Sequence, residues 1–353
     1  MSIEDLLAWN KLTGEYYGSE DQSIFFYSYS KMQRPEIVLE LGSGLGHTAL
    51  WIAQAIKENG SGHIWTVDNG ARWPEILKYL ADSKSRTDDL LRSFPIFREV
   101  FDTHVPARPS PQDDEYPSDY FTWLERVAVI LNLSPFVSFL PGTLSLTDTS
   151  ALTAESDPFL APVLEHPIDL LYADFDHYPH AILAVLAKYL PLMSEYSSIF
   201  VDSASTYLPS YLTLEHTVDQ LNRGKLPAIF LAGTTRVQQE RLAEIVATRR
   251  FIHLALPERK DRNQNGLAWI RIEPVNIVPY PLTQMRGLFS TPLPGNALES
   301  LFESGALPEE QVKRSFLFEQ FVRAAYSLTE RELSFFLALL AGRRNASSSE
   351  SSL

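Results

Sequence analysis

Seven short apolar runs, most of them separated by helical patterns, organise the greater part of the chain. Apolar runs of about four to eight residues bounded by turn residues are typical of buried strands, and strands that alternate with helices favour a parallel sheet. The last two runs are joined only by a polar turn, which predicts an antiparallel hairpin. The seven runs are 37–41, 63–67, 136–140, 168–173, 198–201, 251–256 and 267–272.

These elements predict an α/β fold with a Rossmann-like, mostly parallel seven-stranded sheet and an antiparallel last strand. About seventy residues separate the second run from the third, whereas a crossover between parallel strands needs only about twelve. The excess predicts an insertion with helical patterns at both of its ends. Helical patterns also follow the last strand, so we expect a helical C-terminal extension.

Charge and composition restrict the classes of function. The 353 residues carry a formal net charge of -14, and binding a phosphate backbone needs clustered Lys and Arg, so we expect no nucleic-acid partner. The absence of cysteine excludes disulfides, thiolate metal sites and a cysteine nucleophile. Apolar stretches are too short for a bilayer, and the acidic start does not look like a signal peptide, so we expect a cytoplasmic protein without a membrane partner.

Three glycines stand between the first strand and the following helix. In the segment VLELGSGLGHTALWIA they are Gly42, Gly44 and Gly46, and such a turn permits positive φ and close approach of backbone N–H groups to a ligand. The second strand ends at Asp68, whose carboxylate can accept both ribose hydroxyls of a nucleoside. The pattern predicts a nucleoside site, although tight turns also use glycine for structure alone. A dinucleotide fingerprint reads G-x-G-x-x-G, so the five-residue turn with Glu40 ahead of it argues against NAD.

This turn, with its preceding acid, resembles the first motif of class I S-adenosylmethionine-dependent methyltransferases, and Asp68 matches their second motif, an acid that ends strand two. The resemblance covers about residues 22–272 and is closest to small-molecule O-methyltransferases of the catechol and caffeoyl-CoA type. It implies that Glu40 and the turn hold the methionine end of the cofactor, Asp68 the ribose, and residues 142–143 the adenine region. The cofactor-binding residues implied are Glu40, Gly42, Ser43, Gly44, Gly46, Thr48, Asp68, Asn69, Gly142, Thr143 and Asp174.

Polar residues follow the fourth strand, at the edge of a parallel sheet where ligands bind. They are Asp174, Asp176 and His177. Methyl transfer to a hydroxyl needs a base for its proton, and histidine accepts a proton near neutral pH. We therefore predict these three residues as catalytic, with His177 as the base. The alternative is a helix-capping role for Asp176 and a packed His177.

The resemblance also implies a metal. In these O-methyltransferases the acid after strand four binds a divalent cation, and a lysine three residues later is the base; Asp174 and His177 match that spacing. A second ligand pair, Asp-Asn or Asp-Asp, normally ends strand five, and here Asp202 is followed by Ser203. The implied ligands of Mg²⁺ or another divalent cation are thus Asp174, Asp202 and Ser203, with help from water and substrate. Without a metal, His177 acts as the base with Asp176, or proximity alone suffices for an amine acceptor.

Together these features predict a methyltransferase that acts on a hydroxyl, or less readily an amine, of a small metabolite, for example in natural-product tailoring. Two alternatives stay open: another Rossmann-like enzyme, such as an NAD-dependent dehydrogenase, and a catalytically silent nucleoside-binding scaffold. The apolar side of the amphipathic C-terminal patterns must be covered, either by this core or by a second subunit in a homodimer. The predicted parts are an N-terminal helical lid (1–34), the cofactor-binding domain (35–273), its insertion as a cap on the acceptor site (70–134), a helical C-terminal extension (274–342) and a disordered tail (343–353).

Overall fold

A computed structural model gives the fold. It describes residues 3–14, 19–82, 84–104, 117–144, 157–231, 234–257 and 266–275. The chain divides into two compact units, 1–275 and 276–353, and all described residues belong to the first. The predicted C-terminal extension, apart from its first two residues, and the predicted tail therefore lie outside the described residues.

One mixed sheet forms the centre of the first unit. Its strands are β1 (Ile37–Leu41), β2 (His63–Asp68), β3 (Val137–Pro141), β4 (Ile168–Ala173), β5 (Met193–Asp202), β6 (Arg249–Leu256) and β7 (Leu267–Pro274). Their order is β3-β2-β1-β4-β5-β7-β6, and β7 is antiparallel to both of its neighbours, whereas β1 to β5 pair in parallel. This confirms the predicted fold class. The largest difference in boundaries is at β5, whose polar first half gave no apolar run.

Helices cover the sheet. Those of the described residues are α1 (Ile3–Thr13), α2 (Glu20–Gln33), α3 (His47–Asn59), α4 (Trp73–Asp82), α5 (Lys84–Ser93), α6 (Arg98–His104), α7 (Pro117–Ile130), α8 (Ala161–Leu164), α9 (Pro179–Tyr189), α10 (Leu208–Asn222), α11 (Ala228–Leu231) and α12 (Arg236–Thr248). None of them is both long enough and apolar enough to cross a membrane.

Local sequence fixes the ends of the two helices nearest the glycine turn. The Ser19 side chain accepts the N–H of Gln22 (3.0 Å) and so caps the start of α2. That helix ends at Arg34, which adopts a left-handed conformation with φ 52°. Helix α3 is bounded by Gly46 and Gly60, both at positive φ, where glycine avoids the clash of a Cβ atom.

The N-terminal helices are part of the hydrophobic core. Trp9 of α1 and Phe26 of α2 are fully buried. The Phe26 ring packs against Tyr172 of β4, with ring centroids 4.6 Å apart, and against Phe200 of β5, with centroids 5.1 Å apart. Burial of such large rings stabilises the docking of α2 on the sheet. The Trp9 ring instead packs against Phe97, Phe101 and Trp123 of the insertion. The lid function that we predicted for residues 1–34 stays a prediction.

The insertion between β2 and β3 is helical over most of its described part. Helices α4 and α7 correspond to the two predicted ends, whereas α5 and α6 were not predicted. The two ends of the insertion pack together through Trp73 and Trp123, whose ring centroids lie 5.2 Å apart. Both rings are buried, so buried aromatic packing holds the two ends of the insertion together.

Candidate cofactor and catalytic site

The carboxyl ends of four parallel strands meet at one edge of the sheet. In the strand register Leu41 of β1 lies opposite Val67 of β2 and Ala173 of β4, and Ala173 lies opposite Val201 of β5. The next residue of each strand therefore reaches the same edge. These residues are Gly42, Asp68, Asp174 and Asp202. The fold thus brings together predicted site residues from four separate strands.

The turn after β1 requires glycine at Gly42. Its φ is 100° and its N–H donates to the backbone oxygen of Val67 (2.8 Å). A Cβ atom here would lie 1.9 Å from the backbone oxygen of Asp174, which is far inside contact distance. Gly44 and Gly46 also have positive φ, 50° and 74°. The three glycines therefore serve the structure of the turn itself, whatever ligand the turn binds.

Asp68 is hydrogen-bonded to the glycine turn. One of its carboxylate oxygens accepts the backbone N–H of Ser43 (2.9 Å) and, more weakly, that of Gly44 (3.4 Å). The other oxygen accepts the N–H of Gly70 (2.7 Å). The acid predicted to bind ribose and the turn predicted to bind the methionine end thus form one connected unit.

A buried polar chain lies beneath the turn. The hydroxyl of Ser43 lies 2.7 Å from that of Thr66, and Thr66 in turn donates to the Glu40 carboxylate. Burial raises the pKa of the Glu40 carboxyl well above its ordinary value; the bond from Thr66 opposes the rise, and the negative charges of Asp174 and Asp68 add to it. Ionised Glu40 is therefore costly in the folded chain unless a cation is bound nearby.

We expect Glu40→Gln to stabilise the ligand-free chain near neutral pH. When folding raises the pKa of a carboxyl, the folded state holds its proton more tightly, so the free energy of unfolding falls as pH rises above the ordinary value of about 4.3. The amide carries no charge and keeps an oxygen for Thr66. Thermal denaturation of both proteins from about pH 4 to about pH 8 should show a Tm difference that grows with pH. A difference that does not change with pH would contradict this cause.

Two more carboxylates, from β4 and β5, flank the buried Tyr172. Its hydroxyl lies 3.2 Å from Asp174 Oδ2 and 3.5 Å from Asp202 Oδ1. Burial raises the pKa of the Tyr172 phenol well above its usual range, and the charges of Asp174 and Asp202 raise it further, so the phenol stays a neutral donor. Gln22 of α2 donates to the Tyr172 oxygen (2.6 Å) and to Asp202 Oδ1 (3.2 Å).

His177 lies beside these carboxylates with a defined tautomer. Its Nδ1 is 3.2 Å from the backbone oxygen of Asp202, and a carbonyl oxygen only accepts, so Nδ1 carries the proton and Nε2 of the neutral ring carries the lone pair. Asp176 instead accepts the N–H of Tyr178 (3.0 Å) at the start of α9. This bond forms a local turn that precedes α9 and does not cap the helix, since its N-cap residue, Tyr178, makes no side-chain cap hydrogen bond. A catalytic part for Asp176 stays a prediction.

One group of described residues can hold a metal ion. Asp174, His177 and Asp202 each offer a ligand atom, and these atoms lie within 4.8 Å of one another. Ser203, which the sequence suggested as a ligand, donates its hydroxyl to Asp202 Oδ2 (2.8 Å). The geometry therefore favours His177 over Ser203 as the third donor, and Ser203 as a residue that orients Asp202.

The remaining predicted cofactor residues lie around the same edge. Thr48 is in the first turn of α3 and is 8% exposed. The N–H of Gly142, just after β3, donates to the backbone oxygen of Asp68 (2.9 Å), and Thr143 follows it on the surface. The Asn69 side chain accepts the N–H of Ala71 (2.9 Å). A ligand on the glycine turn would have all four residues within its surroundings.

Three polar residues at the site were not predicted: Gln22, Tyr120 and Tyr172. Tyr120 of α7 donates its hydroxyl to the backbone oxygen of Gly44 (2.7 Å). Gln22 lies on α2 and Tyr120 on α7. Both helices are outside the strand-turn-helix unit, and no fixed sequence spacing links the two residues to its motifs. Tyr172 carried one usable signal, a polar tip within an apolar strand two residues before Asp174.

The solved structures similar to this chain include three methyltransferases. The O-methyltransferase from Bacillus cereus, in complex with SAH, is 15% identical, with 77% of this chain and 88% of that chain covered and a TM-score of 0.38. TomG from Streptomyces achromogenes, an O-methyltransferase involved in tomaymycin synthesis, in complex with SAM, is 13% identical, with 77% of this chain and 91% of that chain covered and a TM-score of 0.37. The SAH-bound methyltransferase PaMTH1 from Podospora anserina is 14% identical, with 77% of this chain and 88% of that chain covered and a TM-score of 0.35. These similarities are too distant to indicate a substrate.

A family match covers the core of the site. Residues 39–204 match the family described as "Methyltransferase domain", and this range runs from β1 to the end of β5. It contains the glycine turn, Asp68, Asp174 and Asp202. No curated protein matches the chain. Residues 39–204 are therefore similar to a methyltransferase domain, in agreement with the resemblance that the motifs of the sequence showed.

Proposed function

We propose that this chain transfers the methyl group of S-adenosylmethionine to a hydroxyl of a small molecule. The observation that carries the proposal is the position of His177. It lies between Asp174 and Asp202, at the same sheet edge as the glycine turn and Asp68. A base, a carboxylate pair and a nucleoside-binding turn are thus adjacent, as hydroxyl methylation requires.

The charge of the site favours a cationic cofactor. Glu40, Asp68, Asp174 and Asp202 all lie at this edge. Burial is the main cause of the raised pKa of the Glu40 carboxyl, and the negative charges of Asp174 and Asp68 add to it. S-adenosylmethionine carries a sulfonium and an ammonium group, which this potential attracts. The pyrophosphate of NAD would be repelled by the same carboxylates. The electrostatics therefore support the methyl donor over a dinucleotide.

The proposed contacts of the cofactor follow from position at the edge. Glu40 and the turn residues, with Thr48 behind them, are assigned to the methionine end. Asp68 and Asn69 are assigned to the ribose, and Gly142 and Thr143 to the adenine. For Asp68 this means that its carboxylate, now bonded to Ser43 and Gly70, also accepts from the ribose hydroxyls. A carboxylate has about four acceptor positions, so it can hold both sets.

His177 is proposed as the general base. Because Nδ1 donates to the Asp202 carbonyl, Nε2 is the atom that takes the proton of the acceptor hydroxyl. Bound S-adenosylmethionine supplies an electrophilic methyl group, which the acceptor oxygen binds while sulfur keeps the electron pair of the broken bond. The neighbouring carboxylates of Asp174 and Asp202 stabilise the imidazolium that forms.

A divalent cation would fit the same residues. Two carboxylates with one imidazole form a mixed oxygen and nitrogen set, which suits Mn²⁺ or Zn²⁺ better than the all-oxygen preference of Mg²⁺. The holders would be Asp174, His177 and Asp202, and the bound ion would polarise the acceptor hydroxyl and favour its ionised form. His177 would then act as a ligand, so the base and ligand roles are alternatives for one side chain.

The surface next to His177 suits a flat, apolar acceptor. Phe175, between Asp174 and Asp176, is 36% exposed, and Tyr178, which follows His177, is 57% exposed. The Tyr178 ring stands edge-on to the Tyr207 ring, with centroids 6.0 Å apart. Large exposed rings beside a reactive edge favour stacking of an aromatic ligand. We therefore assign the acceptor to hydroxylated aromatic molecules, with the predicted cap of residues 70–134 as a further wall.

Calorimetric titration with S-adenosylmethionine, SAH and NAD tests the cofactor. We expect micromolar binding of the two sulfur nucleosides, no binding of NAD, and a loss of at least about tenfold in affinity for Asp68→Ala, because a charged hydrogen-bond acceptor is removed. Asp169→Ala is the matched control. Asp169 lies at the start of β4, and its carboxylate also accepts two backbone N–H groups, those of Glu36 (2.9 Å) and Ile37 (3.1 Å).

The same titration separates the alternatives. Preference for NAD would indicate a dehydrogenase, and binding of SAH without transfer to any hydroxylated aromatic would indicate a silent nucleoside-binding scaffold. An equal loss in both variants would remove the special role of Asp68. Repeating the experiment with Mg²⁺ and with Mn²⁺ tests the cation, since a bound ion would change the affinity for the positively charged donor.

A further inference from the structure

Two carbonyl groups of the glycine turn are held by aromatic side chains from outside the strand-turn-helix unit. The Tyr120 hydroxyl donates to the backbone oxygen of Gly44 (2.7 Å), and the Trp9 indole N–H donates to that of Leu45 (3.2 Å). Tyr120 belongs to the insertion, and Trp9 belongs to α1. Two consecutive peptide planes of the turn are therefore fixed by elements that precede β1 or interrupt the sheet.

The position of Tyr120 is itself rigid. The residue is 1% exposed, and its ring lies 5.4 Å from the Trp73 ring and 4.9 Å from the Phe121 ring, measured between centroids. Trp73 begins α4, directly after the Asp68 loop. One turn of α7 further on, Leu124 packs against Gly46. The insertion thus contacts the glycine turn through two of its side chains, Tyr120 and Leu124.

Electrostatics keep the Tyr120 hydroxyl a donor. Burial raises the pKa of the phenol well above its usual range, and the negative charges of Asp68 and Glu40 raise it further. The phenol therefore keeps its proton near neutral pH, and the hydroxyl can donate to the Gly44 oxygen.

The carbonyl direction matters because a peptide unit is planar. Holding the Gly44 oxygen also fixes the direction of the Leu45 N–H on the same plane. Gly44 itself is at φ 50°, and a peptide plane next to glycine turns over easily when nothing holds it. A turn that must present its N–H groups to a ligand gains affinity when those groups are preset.

We propose that Tyr120 is a positioning residue for the cofactor: its hydroxyl presets the Gly44–Leu45 peptide of the glycine turn, so that the insertion completes the cofactor site. This role differs from the acceptor cap assigned to the insertion. It rests on the proposed function, because it assumes that S-adenosylmethionine and SAH bind at this turn.

Tyr120→Phe tests the proposal, since it keeps the ring and removes the hydroxyl. We expect the Kd for SAH and the KM for S-adenosylmethionine to rise about tenfold, the effect of one buried hydrogen bond, with kcat unchanged. Amide hydrogen exchange at residues 43–46 should also become faster. Tyr29→Phe is the matched control, because it also loses the hydroxyl of a buried tyrosine, whose bond is to Ser198 Oγ (2.6 Å), away from the turn.

The outcomes separate this inference from the function on which it rests. A wild-type chain that does not bind SAH overturns both. If the wild type binds SAH and Tyr120→Phe binds it equally well, only the role of Tyr120 is overturned. An equal loss of affinity in Tyr120→Phe and Tyr29→Phe also overturns it, because general destabilisation would then explain the result. Faster exchange at residues 43–46 in Tyr120→Phe alone supports it even where the two melting temperatures differ.

Discussion

Gly42→Ala is expected to lower the free energy of unfolding by at least about 3 kcal/mol. The added Cβ atom would lie 1.9 Å from the backbone oxygen of Asp174, and neither partner can move easily. Asp174 is anchored because its N–H donates to the backbone oxygen of Leu41 (2.8 Å), and Gly42 is anchored through Val67 (2.8 Å). Relief of the clash must therefore separate β1 from β4, the two strands at the centre of the site.

Gly60→Ala supplies the matched control. Gly60 is also at positive φ (85°), but a Cβ atom there would meet nothing within 4 Å. The free energy of unfolding of this variant should fall by only about 1 kcal/mol, the cost of placing alanine in a left-handed conformation. Urea denaturation of both variants measures the difference, and SAH titration should show lost affinity for Gly42→Ala alone. Equal losses of stability would mean that backbone conformation, and not contact with Asp174, decides the need for glycine.

The strands and the turn could be predicted because their signals are local. The run 37–41 coincides with β1 and the run 168–173 with β4. Each run is preceded by a glutamate or proline and followed by glycine or aspartate, and such residues mark the ends of a buried parallel strand. Parallel strands align their carboxyl ends, so Asp68, Asp174 and Asp202 were brought to one edge by topology alone. β5 was predicted too short because its first half is polar.

The rest of the site could not be predicted because it depends on packing between distant segments. Gln22 and Tyr172 are 150 positions apart, and their bond depends on how α2 docks on the sheet. Tyr120 reaches Gly44 only because the insertion folds back over the turn. A tyrosine or glutamine within a helical pattern has the same local appearance in a core as in a site, so no motif marks it.

The four carboxylates at the sheet edge affect stability and ligand binding in opposite directions. They are those of Glu40, Asp68, Asp174 and Asp202. Tyr172 remains a neutral donor beside Asp174 and Asp202, which gives those acids a hydrogen bond without neutralising their charge. The negative potential is therefore available to a cation, at a cost to the ligand-free fold. For this reason we expect Glu40→Gln to stabilise the empty chain and to weaken binding of the positively charged donor.

His177→Ala is expected to reduce kcat for a hydroxyl acceptor by about a hundredfold or more, the usual contribution of a general base. The Kd for SAH should change little, because His177 contacts the Asp202 carbonyl and not the glycine turn. Transfer of a labelled methyl group to a hydroxylated aromatic found by screening measures kcat. His216→Ala, a change to an exposed histidine on α10, controls for the loss of an imidazole as such.

Added imidazole distinguishes the two roles open to His177. If Nε2 takes the proton of the acceptor, external imidazole should restore part of the turnover of His177→Ala, because a diffusing base can enter the space left by the side chain. If His177 instead holds a cation with Asp174 and Asp202, Mn²⁺ binding should be lost in the variant and imidazole alone should not replace it. An unchanged rate in His177→Ala would remove both roles and leave proximity to the sulfonium as the source of the rate, which fits an amine acceptor better than a hydroxyl.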